Sequence, residues 1–220
     1  MTPPAATVAT RRSASARRSA VRRRRGMLAL GGVALAVLVG VLVAPLFLKA
    51  IRELSLPLQY QAVIRQQAAA KHLDPALIAA VIYAESKFDP RTSRAGAEGL
   101  MQLLPQTAAY LAKRSGGTGF SPNDLATPKV NIAYGSYYLR YLIDHYGGQV
   151  MPALAAYNAG VTNVDRWLAG SRPDAHAFAI TDVPYPETRA YVERVLRAQS
   201  DYRRTYARQL GYEYPRPLTR

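Results

Sequence analysis

The 220-residue chain contains no cysteine, which excludes a disulfide scaffold, a CxxC redox pair, a thiolate zinc site and a cysteine nucleophile. Histidine is scarce. His72, His145 and His176 share no metal-ligand spacing and no H-E-x-x-H is present, so a zinc peptidase has no ligand set and no metal is expected. G-x-S-x-G and Walker sequences are also missing, which leaves a serine hydrolase or a nucleotide enzyme without its parts and gives no reason to expect a cofactor. Acidic residues are absent from the first 52 positions, and no persuasive β-strand pattern occurs anywhere.

What the N-terminal part has instead is arginine. Arg11, Arg12, Arg17, Arg18 and Arg22 to Arg25 account for eight of the 29 basic residues, and removing them from the net charge of +15 leaves +7. That remainder favours anionic partners such as a cell wall or a lipid surface. It is not gathered into the dense basic helix face of a duplex binder, so nucleic acid is not expected as a partner.

Met27 to Leu48 is a run of 22 uncharged residues, enough at about 1.5 Å per residue to cross a hydrocarbon core of roughly 30 Å. It is longer than the apolar region of a signal peptide and ends without an A-x-A site. The arginines before it place residues 1–26, an unpatterned tail, in the cytoplasm and everything after Lys49 outside. The expectation is a single-pass protein of the cytoplasmic membrane with residues 49–57 as a linker. Gly32, Ala36 and Gly40 recur every fourth residue, a small-residue face through which a weak transmembrane homodimer would pack.

Beyond Pro57 the pattern is helical almost throughout, which predicts an all-α domain over residues 58–200 and a C-terminal tail over 201–220. Asp74-Pro75 reads as an N-cap and first helical position, followed by the apolar stripe Leu77, Ile78, Val81 and Ile82 up to Asp89-Pro90. Pro105 opens a helix that stops at Gly116-Gly117. Thr127-Pro128 opens a longer one ending at Gly147-Gly148, and the last runs from Pro186-Glu187 to about Leu210. Gly135 interrupts the apolar stripe of the long helix at about 1 kcal/mol relative to alanine, so close approach of another backbone is expected there.

Glu85 follows Val81 by four residues and Ile82 by three, which puts its carboxyl on the apolar side of its helix. Burial there disfavours the charged form and raises the pKa toward the range of a general acid. Pairing with Arg91 or Arg94 at a helix end is the alternative. The stretch Ser93 to Pro105 is interrupted by glycine and brings backbone and polar groups close to the end of the Glu85 helix.

These residues resemble the soluble-lytic-transglycosylase-like (SLT) family of peptidoglycan lytic transglycosylases, relatives of goose-type lysozyme. The matching blocks, in the family's order, are Glu85-Ser86-x-Phe88-x-Pro90; Ser93-x-x-Gly96-Ala97-x-Gly99-Leu100-Met101-Gln102-Leu103-x-Pro105; Asn131-Ile132-x-x-Gly135-x-x-Tyr138-Leu139; Ala156-Tyr157-Asn158-Ala159-Gly160; and Glu187-Thr188-x-x-Tyr191-Val192. Two departures stand out: the Glu85-to-Ser93 spacing is one residue shorter than usual, and Leu104 replaces a common Met. The resemblance implies a lysozyme-like helical fold and non-hydrolytic cleavage of the bond between N-acetylmuramic acid and N-acetylglucosamine, leaving 1,6-anhydro ends. It implies Glu85 as the catalytic acid and then base, with Gln102, Tyr157 and Glu187 lining a glycan groove. Ser93 is implied near the acid, and Asn158 and Tyr191 behind the groove. Core packing for the two tyrosines, and a favourable helix-dipole position for Glu187, are the other readings of those residues.

Overall fold

The computed structural model describes residues 37–44, 56–116, 119–170 and 178–212. Residues 37–44 are helical. The remainder of the expected span 27–48, with the tail 1–26 and Gly32 and Ala36, lies outside the described residues, among which no helix is long and apolar enough to cross a membrane.

Residues 56 onward form a separate compact unit. Its helices are α1 (Gln61–Lys71), α2 (Pro75–Ser86), α3 (Pro105–Arg114), α4 (Pro128–His145), α5 (Val150–Ala159), α6 (Val161–Gly170) and α7 (Pro186–Thr205), with 3₁₀ turns at Pro122–Ala126 and Ile180–Asp182. Helix α2 is the axis of the unit. Every residue from Ala76 to Ile82 is buried, a broader apolar surface than the expected stripe, because α7 covers one side and α1 another. A helix apolar all round has to sit at the centre of its domain. Its N-terminus is fixed by Asp74, whose Oδ1 accepts from the Ala76 N–H at 2.9 Å and whose carboxylate also receives Gln199 and Arg203 of α7 and the hydroxyl of Tyr212.

Among the described residues the chain departs from the all-helical expectation at a short hairpin. Arg91–Thr92 (β1) and Glu98–Gly99 (β2) form an antiparallel hairpin with Arg91 opposite Gly99 and Thr92 opposite Glu98. Strands of two residues are too short to show alternation in a sequence. Helix α2 also stops three residues earlier than Asp89, because Lys87 and Phe88 both take left-handed backbone conformations, φ 54° and 64°. At the other end, residues 201–212 pack into the domain: Tyr202, Ala207 and Leu210 are buried, so the tail expected from 201 begins inside α7.

Gly135 is required, though by a side chain and not by the backbone expected. A Cβ there would stand 2.7 Å from the Cβ of Met101. Packing Met101 against α4 brings the loop after β2 over the middle of the bundle, and this loop forms one wall of the cleft.

Candidate active site

A cleft of about 540 Å³ opens beside the C-terminal end of α2, and Glu85 lies in its wall. Ser86, next to it, is fully buried and donates from Oγ to the Leu100 carbonyl at 2.7 Å, so the end of α2 is pinned to the loop after β2. That loop is tightly folded. Glu98 and Leu103 exchange both backbone hydrogen bonds, at 2.8 and 3.0 Å, and Asn131 of α4 reaches in from below. A Cβ on Gly99, at φ +76°, would collide with the Asn131 amide and the Leu125 carbonyl, so only glycine fits there.

The remaining walls come from four other segments. Ser93, in the hairpin turn, lines the cleft despite the shortened spacing from Glu85; its Oγ accepts from the Ala97 N–H at 3.0 Å, which leaves the hydroxyl proton to donate elsewhere. Gln102, at φ 46°, donates its amide to the carbonyls of Arg91 at 2.7 Å and Gly99 at 2.8 Å. It fastens hairpin to loop and keeps its side-chain oxygen for a ligand. Tyr157, at the end of α5, lines the cleft and donates to the Met101 carbonyl at 2.9 Å. Asn158 beside it accepts from the Thr188 hydroxyl at 2.9 Å, joining α5 to the start of α7, where Glu187 also faces the cleft. Glu85, Ser93, Gln102, Tyr157 and Glu187 line the cleft, and so does Asn158, which was expected behind it; Tyr191 is buried behind Glu85 on α7.

Burial is the dominant influence on Glu85, and it pushes the carboxyl up to about 7. The Tyr191 hydroxyl and the positive charge of Arg194 act against it. The Tyr191 hydroxyl makes no hydrogen bond of normal geometry, yet it stands close enough to Glu85 to favour the carboxylate. The arginine pairing weighed for Glu85 does not form: Arg91 donates to the Glu85 backbone carbonyl, at 3.4 Å. Burial and the Glu85 charge hold the phenols of Tyr157 and Tyr191 well above their ordinary range, so both stay neutral donors. Glu98 is turned outward, accepting from Thr92 at 2.8 Å. Among the described residues no cluster suits a metal ion.

Tyr138 of α4 also lines the cleft. Its ring meets Tyr157 at 5.2 Å between centroids. The signal was its place in the Gly135-x-x-Tyr138 block, three residues from the glycine that admits Met101. Leu104 also lines the cleft, so its replacement of Met leaves the wall apolar.

The family described as Transglycosylase SLT domain matches residues 62–177, more than half of the chain. The soluble lytic murein transglycosylase of Escherichia coli K12 is 37% identical over 151 residues, covering 67% of this chain and 23% of that protein. Among solved structures, an inactive mutant of the lytic transglycosylase Slt from Pseudomonas aeruginosa superposes with a TM-score of 0.65 at 32% identity, covering 74% of this chain and 26% of the other. The 70 kDa soluble lytic transglycosylase of Escherichia coli gives 0.65 at 34% identity, covering 69% and 25%. The chain thus spans about a quarter of the length of these relatives. Helical architecture, ordered motif blocks and matched span agree, and the chain belongs to the transglycosylase SLT domain family.

Proposed function

We propose that the domain is a peptidoglycan lytic transglycosylase, a lyase that cuts the β-1,4 bond between N-acetylmuramic acid and N-acetylglucosamine without consuming water. The observation that carries this reading is the buried carboxyl of Glu85 in the wall of a cleft, where burial pushes it up to about 7. Glu85 donates its proton to the glycosidic oxygen as the C1–O bond breaks. As a carboxylate it then takes the proton of the muramic acid C6 hydroxyl, whose oxygen bonds to C1 and closes a 1,6-anhydro ring. The proton returns to Glu85, so one group serves both steps. Ser93, Gln102, Tyr157 and Asn158 supply hydrogen-bonding groups for the sugars, and no cofactor or metal is needed.

A hydrolase of the usual kind needs a second carboxyl as nucleophile or base. Glu187 is the other carboxylate among the described lining residues. It sits in the first turn of α7, where negative charge is favoured and suits it to stabilising developing positive charge. Digestion of purified sacculi in heavy-oxygen water decides between the two. The lyase releases muropeptides one water lighter than lysozyme products and free of label; labelled reducing muramic ends would show hydrolysis, with Glu187 as the second carboxylate.

On the same reading the enzyme is held at its substrate by residues 27–48 crossing the cytoplasmic membrane, with 1–26 inside and the domain outside. The arginine-rich segment before the apolar run supports this orientation. Protease added to intact spheroplasts is expected to digest the domain, and full protection would refute the topology. Association of two such spans through Gly32, Ala36 and Gly40 is tested by crosslinking after replacing the two glycines with isoleucine.

A further inference from the structure

The segment that enters the domain is fastened at the C-terminal end of α7. Tyr206 donates its hydroxyl to the Leu56 carbonyl at 2.8 Å, and Tyr202 donates to the carbonyl of Pro57. Arginine gathers at the same end. Arg203, Arg204 and Arg208 are exposed, and Arg65 of α1 joins them, its guanidinium donating to the Gln209 carbonyl at 2.6 Å. Asp74 pairs with Arg203, and Asp201 with Arg204. Arg208 has no carboxylate partner among the described residues, and it borders a shallow depression of about 550 Å³ that Arg204, Thr205 and Gln209 also line. Positive charge in the last turn of a helix is ordinary, but Arg65 and Arg208 lie outside α7 and widen its end into a patch. The cleft is at the other end of the domain. Asp74, at the start of α2, binds Gln199 and Arg203 late in α7, while Glu85 near the end of α2 and Glu187 at the start of α7 share the cleft. The two helices are therefore antiparallel, and the rise of α7 from Glu187 to Arg204 puts about 25 Å between cleft and patch.

We propose that this arginine patch is a docking surface for the anionic phospholipid surface of the membrane, and that docking turns the cleft away from the lipid. The inference rests on the membrane topology proposed above. Two features select lipid as the occupant. The first is the tether. Only residues 49–55 separate the apolar run from the fastened Leu56, and even a fully extended chain of that length spans no more than roughly 30 Å. The patch beside Leu56 is thus confined near the bilayer. The second is charge. Guanidinium groups bind phosphate oxygens in pairs of parallel hydrogen bonds, and each arginine close to an anionic bilayer strengthens the attraction roughly fivefold. A tether alone leaves the cleft free to face any direction. Gripping the lipid through the far end of α7 holds it outward, at about the length of that helix from the bilayer.

Because the chain has no cysteine, a single introduced one carries a fluorophore at a chosen place. Full-length Gln209→Cys, labelled at the patch, and full-length Thr181→Cys, labelled at an exposed position just before α7, are reconstituted into vesicles bearing a headgroup-level nitroxide quencher lipid. The vesicles are neutral phosphatidylcholine, or phosphatidylcholine containing phosphatidylglycerol. The label at 209 is expected to be quenched more in the anionic vesicles, and the label at 181 equally in both. Adding Arg204→Gln and Arg208→Gln lowers the docked-to-free ratio roughly 20-fold, salt does the same by screening, and the matching lysine replacements keep most of the gain. All four positions are exposed, so these variants fold, which unchanged melting temperatures verify. Equal quenching of the 209 label in both vesicle types, or a gain that survives the glutamine replacements, overturns the docking surface. Flotation with neutral vesicles reports the membrane span separately. If the wild type does not float, the topology fails instead; arginine-dependent quenching at 209 by added anionic vesicles then still supports docking, and its absence overturns it.

Discussion

Asn131 and Met101 are locked together across the domain: the Asn131 Oδ1 accepts the Met101 backbone N–H at 2.8 Å. The same amide donates to the carbonyls of Glu98 at 2.8 Å and Leu125 at 3.0 Å. One fully buried side chain on α4 thus holds the loop that carries Gln102, and the Met101 carbonyl in turn receives Tyr157. Asn131→Ala leaves the Met101 N–H and the Leu125 carbonyl without this partner, while the Glu98 carbonyl keeps the Leu103 N–H. We expect a loss of about 3 kcal/mol, measured by urea unfolding, together with reduced cleavage because Gln102 and Tyr157 lose their support.

Gly135→Ala sets two effects against each other. Helix propensity favours alanine by about 1 kcal/mol, whereas the new methyl drives into the Met101 side chain, whose backbone Asn131 prevents from retreating. Overpacking costs about 1 to 3 kcal/mol, so the variant is expected to be less stable than the wild type. Shortening the neighbour in the double variant with Met101→Ala is expected to recover part of the loss, a coupling that a double-mutant cycle measures.

Glu85→Gln removes the transferable proton and keeps the shape. Glycan cleavage is expected to fall by a factor on the order of 10² to 10⁴ while binding of sacculi persists, and the outward-facing Glu98→Gln is expected to be mild. The stability of the wild type also carries the signature of this group. With its folded pKa raised from 4.5 to about 7, the folded state binds the Glu85 proton more tightly than the unfolded chain does. The resulting stabilisation is present below pH 4.5 and is lost as pH rises through about 7, a change of roughly 3 kcal/mol. Thermal melts across this window should show a decline that Glu85→Gln flattens.

Activity that requires protonated Glu85 should fall as pH rises past about 7. The Tyr191 hydroxyl favours the carboxylate, so Tyr191→Phe is expected to move this alkaline limb to higher pH. Because that hydroxyl has no partner of normal geometry, its removal should leave the melting temperature nearly unchanged. Arg194→Gln should shift the limb in the same direction, but by an amount that shrinks with added salt, since its charge is exposed and screened.

Much of the fold was legible because helix boundaries are local matters. Asp74-Pro75, Pro105, Pro128 and Pro186 mark four helix starts, since proline suits the first turn and little else in a helix. The hairpin escaped notice, as two-residue strands hold no periodicity, and so did the early end of α2, where Lys87 and Phe88 adopt left-handed conformations that their residue types do not announce. The cleft residues could be named from ordered motif blocks, yet Tyr138 could not be separated from core tyrosines. Exposure belongs to the surroundings of a ring, not to its spacing along a helix.

Local pattern and residue chemistry alone determined that the domain is mostly helical, that Glu85 lies on the apolar side of its helix, and that disulfide and thiol chemistry have no residue to form them. Tertiary structure decided which groups set the behaviour of that carboxyl. Tyr191 and Arg194 lie over a hundred residues away in the chain, and Arg91, the nearer cation, engages only its backbone. Hydrogen bonds and desolvation act over a few ångströms, so their partners are chosen by the packing of α7 against α2.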